Sequence, residues 1–213
     1  GELNQLIRIA KRKKLLLTEA TFFNYHNQFR FVKKFIGKPS NIEQVFVNFT
    51  IPMPKKNSLL LSQKFHGGTF MDMSPYTASI NRILFEEKLK KKSIIVKKNI
   101  QKLIISYDIF LKYKTKVFIG TFRFGKKYNN KILIFLRNRS IEINRAFSPP
   151  SEKKLEIQIR KKNQAQKFFV KKDNCFENYL SEVIGNIKKK QYTFYFDQMM
   201  KDENFRFKLF NVN

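Results

Sequence analysis

Hydrophobic positions change period several times along the chain. Leu3, Leu6, Ile7 and Ala10 recur at spacings of three and four among basic residues, and Phe22, Phe23, Phe29 and Phe35 follow, which predicts one or two basic helices within residues 2–34. Gly37-Lys38-Pro39-Ser40 closes this region, because proline blocks helix continuation and biases its predecessor toward extended geometry. Val45-Phe46-Val47-Asn48-Phe49-Thr50-Ile51 is β-branched and aromatic and ends at Pro52 and Pro54, which predicts an edge strand. Leu59-Leu60-Leu61 and Thr69-Phe70-Met71 read as short strands about a His66-Gly67-Gly68 turn. Residues 99–112 place Ile100, Leu103, Ile104, Tyr107 and Leu111 on one face, the spacing of an amphipathic helix.

A second set of strands runs through residues 117–124 and 132–136, with Tyr128-Asn129-Asn130 as the turn of a hairpin. After Pro149-Pro150, residues 155–159 alternate cleanly and pair with 168–170. Asp173 caps a helix reaching Ile187, with Phe176, Leu180, Val183, Ile184 and Ile187 toward its core. Residues 192–196 are a further strand candidate. Strands then helix, twice over, predict an α+β fold of two tandem small modules, each an antiparallel sheet packed on one helix. The corresponding division is a basic helical extension (1–40), a first module (41–116), a second (117–196) and a tail (197–213).

Composition adds direction. The chain has 44 Lys and Arg against 16 Asp and Glu, a net +28, and a compact body so charged calls for a polyanion: nucleic acid or an anionic membrane. Between residues 88 and 141 there are 16 Lys and Arg and one acid, Asp108. Phosphate contacts by such cations give salt-steep affinity that depends little on sequence. Cys175 is the lone cysteine, which excludes an internal disulfide and a cysteine-built zinc site. No apolar run approaches the roughly 18–20 residues of a bilayer span. The first residue is Gly1 rather than Met, which leaves a targeting peptide unjudged.

Candidate chemistry is sparse: His26, His66, Cys175 and singly scattered carboxylates. His66-Gly67-Gly68 lacks both the Lys-Ser/Thr ending of a phosphate loop and a G-x-G-x-x-G pattern, so it reads as a turn. Glu86 and Glu87 point to different faces, and Cys175 reads as a buried, inert thiol. The expectation is no catalytic residue, no metal site and no cofactor.

The second module resembles the universal large-subunit ribosomal protein numbered six, in a divergent mitochondrial form. Phe118-Ile119-Gly120-Thr121-Phe122-Arg123-Phe124 is similar to that family's glycine-rich opening strand, and Ile134-Phe135-Leu136-Arg137-Asn138-Arg139-Ser140 to its strand ending near Gly-Tyr-Ser-His. Phe168-Phe169-Val170-Lys171-Lys172-Asp173-Asn174 resembles the strand ending in Gly-x-Asp-Lys, and residues 180–189 the helix after it. Thr50-Ile51-Pro52 with Gly67-Gly68-Thr69-Phe70 is similar to the opening Ile-Pro strand and its hairpin. Asn174 replaces the motif lysine, and the final Pro-Tyr-Lys-Gly-Lys-Gly run is missing.

The resemblance implies a non-catalytic structural protein of the mitochondrial large ribosomal subunit, bound to rRNA near the sarcin–ricin loop and the factor-binding region. Its partners would be large-subunit rRNA and neighbouring ribosomal proteins, in single copy, with no small-molecule substrate. The rRNA-binding residues it implies are Lys126, Lys127, Arg137, Arg139, Lys171, Lys172, Lys188, Lys189 and Lys190. Two alternatives stay open: a small-subunit organellar ribosomal protein, and a peripheral protein of an anionic membrane held by the basic stretch from Leu3 to Leu17.

Overall fold

The computed structural model describes residues 1–85, 87–162 and 164–210. The elements run α1 (Glu2–Lys13), α2 (Asn27–Ile36), β1 (Ile42–Pro52), α3 (Thr69–Leu84), β2 (Lys91–Lys98), β3 (Ile104–Lys112), β4 (Val117–Gly125) and β5 (Asn129–Leu136). They continue with β6 (Arg139–Asn144), β7 (Leu155–Lys161), β8 (Gln164–Val170), α4 (Cys175–Lys188) and α5 (Thr193–Phe210). The strands form one mixed sheet in the order β2-β3-β4-β1-β5-β6-β7-β8. Buried positions alternate along the inner strands, so one face carries the core. Val45, Val47, Phe49, Phe118, Phe122, Ile134 and Ile157 meet Val32 of α2, Met73 and Ile80 of α3, and Leu209 of α5 in a single cluster. The other face carries cross-strand ion pairs, Arg123–Asp108 at 3.0 Å and Lys131–Glu142 at 2.8 Å.

The tandem-module fold is therefore corrected. β1 pairs in parallel with β4, from Gln44 opposite Val117 to Pro52 opposite Gly125, and antiparallel with β5. The sheet consequently runs unbroken across both expected modules, and β4 and β5 are not a hairpin because β1 lies between them. The edge-strand reading of β1 fails for the same reason: Val45 and Val47 are buried, and Pro52 is the last residue of the strand, where a missing N–H does little harm.

Three local expectations also change. Residues 104–112 form β3 rather than a helix, since Tyr107, Ile109 and Leu111 alternate inward; leucine-type spacing fits both periods over so short a stretch. Thr69-Phe70-Met71 is the first turn of α3, masked in the sequence by two β-formers and by Pro75 inside the helix. Residues 193–196 begin α5 rather than a strand.

α4 matches its expected span, but Asn174 is the cap, its side chain accepting from the amides of Phe176 (3.1 Å) and Glu177 (3.3 Å). Asp173 instead accepts from the Asn27 amide at 2.6 Å, fastening the start of α2 to the far end of the chain. The buried face of α4 is Cys175, Tyr179 and Val183, whereas Phe176, Leu180, Ile184 and Ile187 are exposed.

Candidate active site on helix α3

Small buried side chains, Ser74, Thr77, Ala78 and Ser79, let α3 lie close to the sheet, and Thr77 shares a 3.1 Å hydrogen bond with the buried Tyr107 hydroxyl. That seating leaves Asp72 and Tyr76, four residues apart, as neighbours along one helix face. The Tyr76 ring lies among Phe23, Phe49 and Phe147, with centroids 5.9, 5.3 and 5.1 Å away. Four segments thus meet here: the N-terminal half of α3, the loop before α2, strand β1, and the stretch after β6.

Burial pushes the Asp72 carboxyl above the usual carboxylate range. Burial likewise raises the Tyr76 hydroxyl, and the charges of Asp72 and Glu19 and the nearby Tyr128 add to it. Among the described residues, neither the Asp72 carboxylate nor the Tyr76 hydroxyl has a hydrogen-bond or ion-pair partner. In a chain with 44 cations, a half-buried acid without a counter-charge is a standing energetic cost, and such groups cluster where chemistry is done.

The loop before α2 is pinned at Glu19, which pairs with Arg206 of α5 at 3.2 Å. It ends at the buried His26, whose Nδ1 accepts from the Gln28 amide at 3.0 Å and caps α2. The proton of neutral His26 then sits on Nε2, which has no partner among the described residues, and burial lowers the imidazole pKa so that the neutral form prevails.

The residues singled out by the sequence do not converge. Lys126 and Lys127 lie in the turn before β5, and Arg137 and Arg139 at its other end, about 25 Å away at 3.3 Å per strand residue. Arg139 rests over the Phe35 ring at 5.4 Å. Lys171 and Lys172 precede α4, while Lys188 ends it and Lys189 and Lys190 follow, about 20 Å along the helix. Lys91, Lys92, Lys97 and Lys98 line the outer strand β2, where lysines discourage pairing with another sheet, so part of the cationic tract has a purely structural account. Glu87 receives hydrogen bonds from Thr115 and lies 3.8 Å from the buried Lys116; Glu86 lies outside the described residues. Burial raises the Cys175 thiol pKa, which disfavours the reactive thiolate. Asp72 and Tyr76 were missed because Thr69-Phe70-Met71 reads as a short strand and the residues after it carry no assigned element; once the segment is a helix, an acid four residues before a tyrosine is the visible signal.

No family model and no curated protein matches the chain. Solved structures do. The fold is similar to KijD10, a 3-ketoreductase from Actinomadura kijaniata in complex with NADP and TDP-benzene, with a TM-score of 0.86 at 17% identity over 94% of this chain and 63% of that one. It is also similar to the UDP-N-acetylglucosamine 3-dehydrogenase GnnA from Acidithiobacillus ferrooxidans, with a TM-score of 0.77 at 10% identity over 98% and 64%. The chain thus spans just under two thirds of the length of these proteins, and the likeness is one of fold.

This overturns the ribosomal assignment. The chain has the sheet of a 3-ketoreductase and a dehydrogenase, not the tandem modules of large-subunit ribosomal protein six, and neither the small-subunit nor the membrane-surface alternative is supported. The expected partners fall with it: one neighbour is solved with NADP and a TDP compound, so rRNA, ribosomal proteins and the exclusion of a small-molecule substrate are withdrawn. The expectation that the chain is not an enzyme is withdrawn as well, because its fold is shared with enzymes. The reason for the error is physical: net charge and strand order describe solubility and local periodicity, and neither specifies which strands pair.

The described residues do not fit a dinucleotide. Pyrophosphate is held by free amides at a glycine-rich turn between a strand and a helix of a parallel sheet. Here β1–β4 is the one parallel pairing among the seven, so the sheet is not of that doubly wound type. The amides of Gly67 and Gly68, before α3, are already bonded to the Ser62 and Leu60 carbonyls, both at 2.8 Å. A Cβ at Gly67 would lie 2.6 Å from the Leu60 oxygen, and one at Gly68, whose φ is +107°, 2.8 Å from the Ile104 oxygen. These glycines admit carbonyl oxygens, which repel phosphate.

Proposed function

We propose that this chain forms the substrate side of an oxidoreductase acting on a nucleotide-linked sugar, with Asp72 and Tyr76 handling the proton at the reacting oxygen. The observation that carries the reading is the half-buried, unpartnered Asp72–Tyr76 pair. Its helix begins at the end of the sheet where β1 and β4 finish, at Pro52 and Gly125, with Gly68 against Ile104 at the start of the neighbouring strand β3. The similarity to a 3-ketoreductase and a 3-dehydrogenase supplies the substrate class.

Interconversion of a secondary alcohol and a ketone moves a hydride at carbon and a proton at oxygen, and these residues serve the proton. A carboxyl raised by burial holds its proton to higher pH than a free carboxyl and is a stronger base once ionised, which suits it to proton exchange with a substrate oxygen. A hydroxyl raised above its ordinary value stays protonated and donates a hydrogen bond to the substrate oxygen.

The test is ligand-observed NMR with TDP-glucose and UDP-N-acetylglucosamine on wild type, D72N and Y76F. Wild type is expected to bind a nucleotide-linked sugar, and D72N and Y76F to bind it more weakly because each loses a group that meets the reacting oxygen. Absence of binding by wild type, or two variants indistinguishable from it, overturns the proposal.

A further inference from the structure

We infer that Arg145, stacked on Tyr128 beside the Asp72–Tyr76 pair, is an anion subsite for the diphosphate of a nucleotide-linked substrate. This rests on the reading above for the identity of the ligand, but the observations that carry it are separate. Arg145 follows the last residue of β6 with φ +55°, a left-handed conformation that is unfavourable for a long side chain and persists where surroundings enforce it. Its amide donates to the Asn130 carbonyl at 2.7 Å, and its guanidinium carbon sits 4.5 Å over the centroid of the Tyr128 ring.

The ring beneath is itself fixed. The buried Asn130 donates through Nδ2 to the Tyr128 hydroxyl at 2.8 Å and to Ser148 Oγ at 2.9 Å, and those two oxygens are 2.6 Å apart. Asn130 Oδ1 accepts from the Phe147 amide at 2.9 Å. Phe147 is the residue whose ring packs on Tyr76, so one short chain of contacts ties the Arg145 platform to the proposed proton site.

The chemistry of the platform selects its ligand. Arg145 is exposed, and no acid pairs with it among the described residues, so the N–H fork at the edge of the stacked guanidinium is free for a planar bidentate acceptor. Lys126 and Lys127, immediately before Tyr128, are also exposed and without ion-pair partners among the described residues. The exposed guanidinium stacked on Tyr128, with Lys126 and Lys127 preceding that ring in the chain and no carboxylate paired to any of the three among the described residues, matches a dianionic or trianionic group, and the diphosphate linking nucleoside to sugar is that group.

Calorimetric titration tests this with thymidine diphosphate, TDP-glucose and inorganic pyrophosphate as probes, on wild type, R145A, R145K and R137A. R137A removes the same charge at the opposite end of β5 and controls for nonspecific attraction by a +28 protein. R145A is expected to weaken thymidine diphosphate and TDP-glucose at least tenfold, R145K to recover part of that, and R137A to change affinity less than twofold. Equal losses in R145A and R137A, or no loss in R145A, overturn the subsite while leaving the oxidoreductase reading standing. Binding of pyrophosphate that depends on Arg145, with no binding of TDP-glucose, supports the subsite and removes the nucleotide-sugar reading.

Discussion

At Asp72 the cost of burial and the use of the carboxyl pull in opposite directions. Its folded pKa is raised above the unfolded value, so its contribution to stability is fully present below the unfolded pKa and is lost as pH rises through the folded pKa. At neutral pH the charged carboxylate therefore destabilises the fold. D72N keeps the shape, removes the charge, and should unfold a few degrees higher than wild type at pH 7. Thermal scans from pH 3.5 to 8 check this: the two proteins should melt together at the acid end and separate as pH rises. A constant difference, or a less stable D72N at pH 7, would show that the carboxylate is held by interactions that favour its charge.

Elements matter here mainly through how α3 is seated. Gly68 precedes α3 at φ +107° with the Ile104 oxygen in the space of a Cβ, so G68A should cost more than about 1 kcal/mol in urea unfolding. Wild-type stability in G68A would mean the turn can move freely. At the other end, Arg82 holds Asp202 of α5 at 2.9 Å, with side chains 17% and 5% exposed, and also reaches Ser79 at 3.0 Å. Burial still raises the Asp202 pKa despite this pairing, so the bridge only partly offsets the desolvation of its acid. D202A strands the arginine and should cost about 3–5 kcal/mol, whereas the double variant R82M/D202L should recover much of that; equal losses in both would assign the effect to packing alone.

The same elements show what the sequence made legible. α1, α2, β4 and β5 follow from local periodicity, because each buries one face at the period of its own backbone, whereas α4 follows in its span alone, since only Val183 of its expected core face is buried. The placement of β1 between β4 and β5 is a pairing across more than 70 residues, from Gln44 to Val117, and nothing in either strand marks it. α3 was hidden by Thr69, Phe70 and Pro75, and with it went Asp72 and Tyr76, since the face they share exists only when the segment is helical.

For the whole molecule, charge acts on stability and on binding with opposite salt dependence. The net +28 self-repels in the compact state, and the ion pairs among the described residues are mostly surface pairs worth about 0–1 kcal/mol each. Raising salt from 10 to 150 mM shortens the screening length from about 30 to 8 Å, which relieves repulsion across the whole body while weakening only those small pairs. Thermal midpoints should therefore rise by several degrees over that range. The same screening removes long-range attraction for a diphosphate, so its association rate should fall steeply with salt while the contribution of Arg145, made at contact, persists. A midpoint that falls with salt would mean that local ion pairs outweigh the net charge. An R145A effect that disappears by 150 mM would mean that Arg145 acts only through the general field, and the stacked platform would lose its role in selecting the ligand.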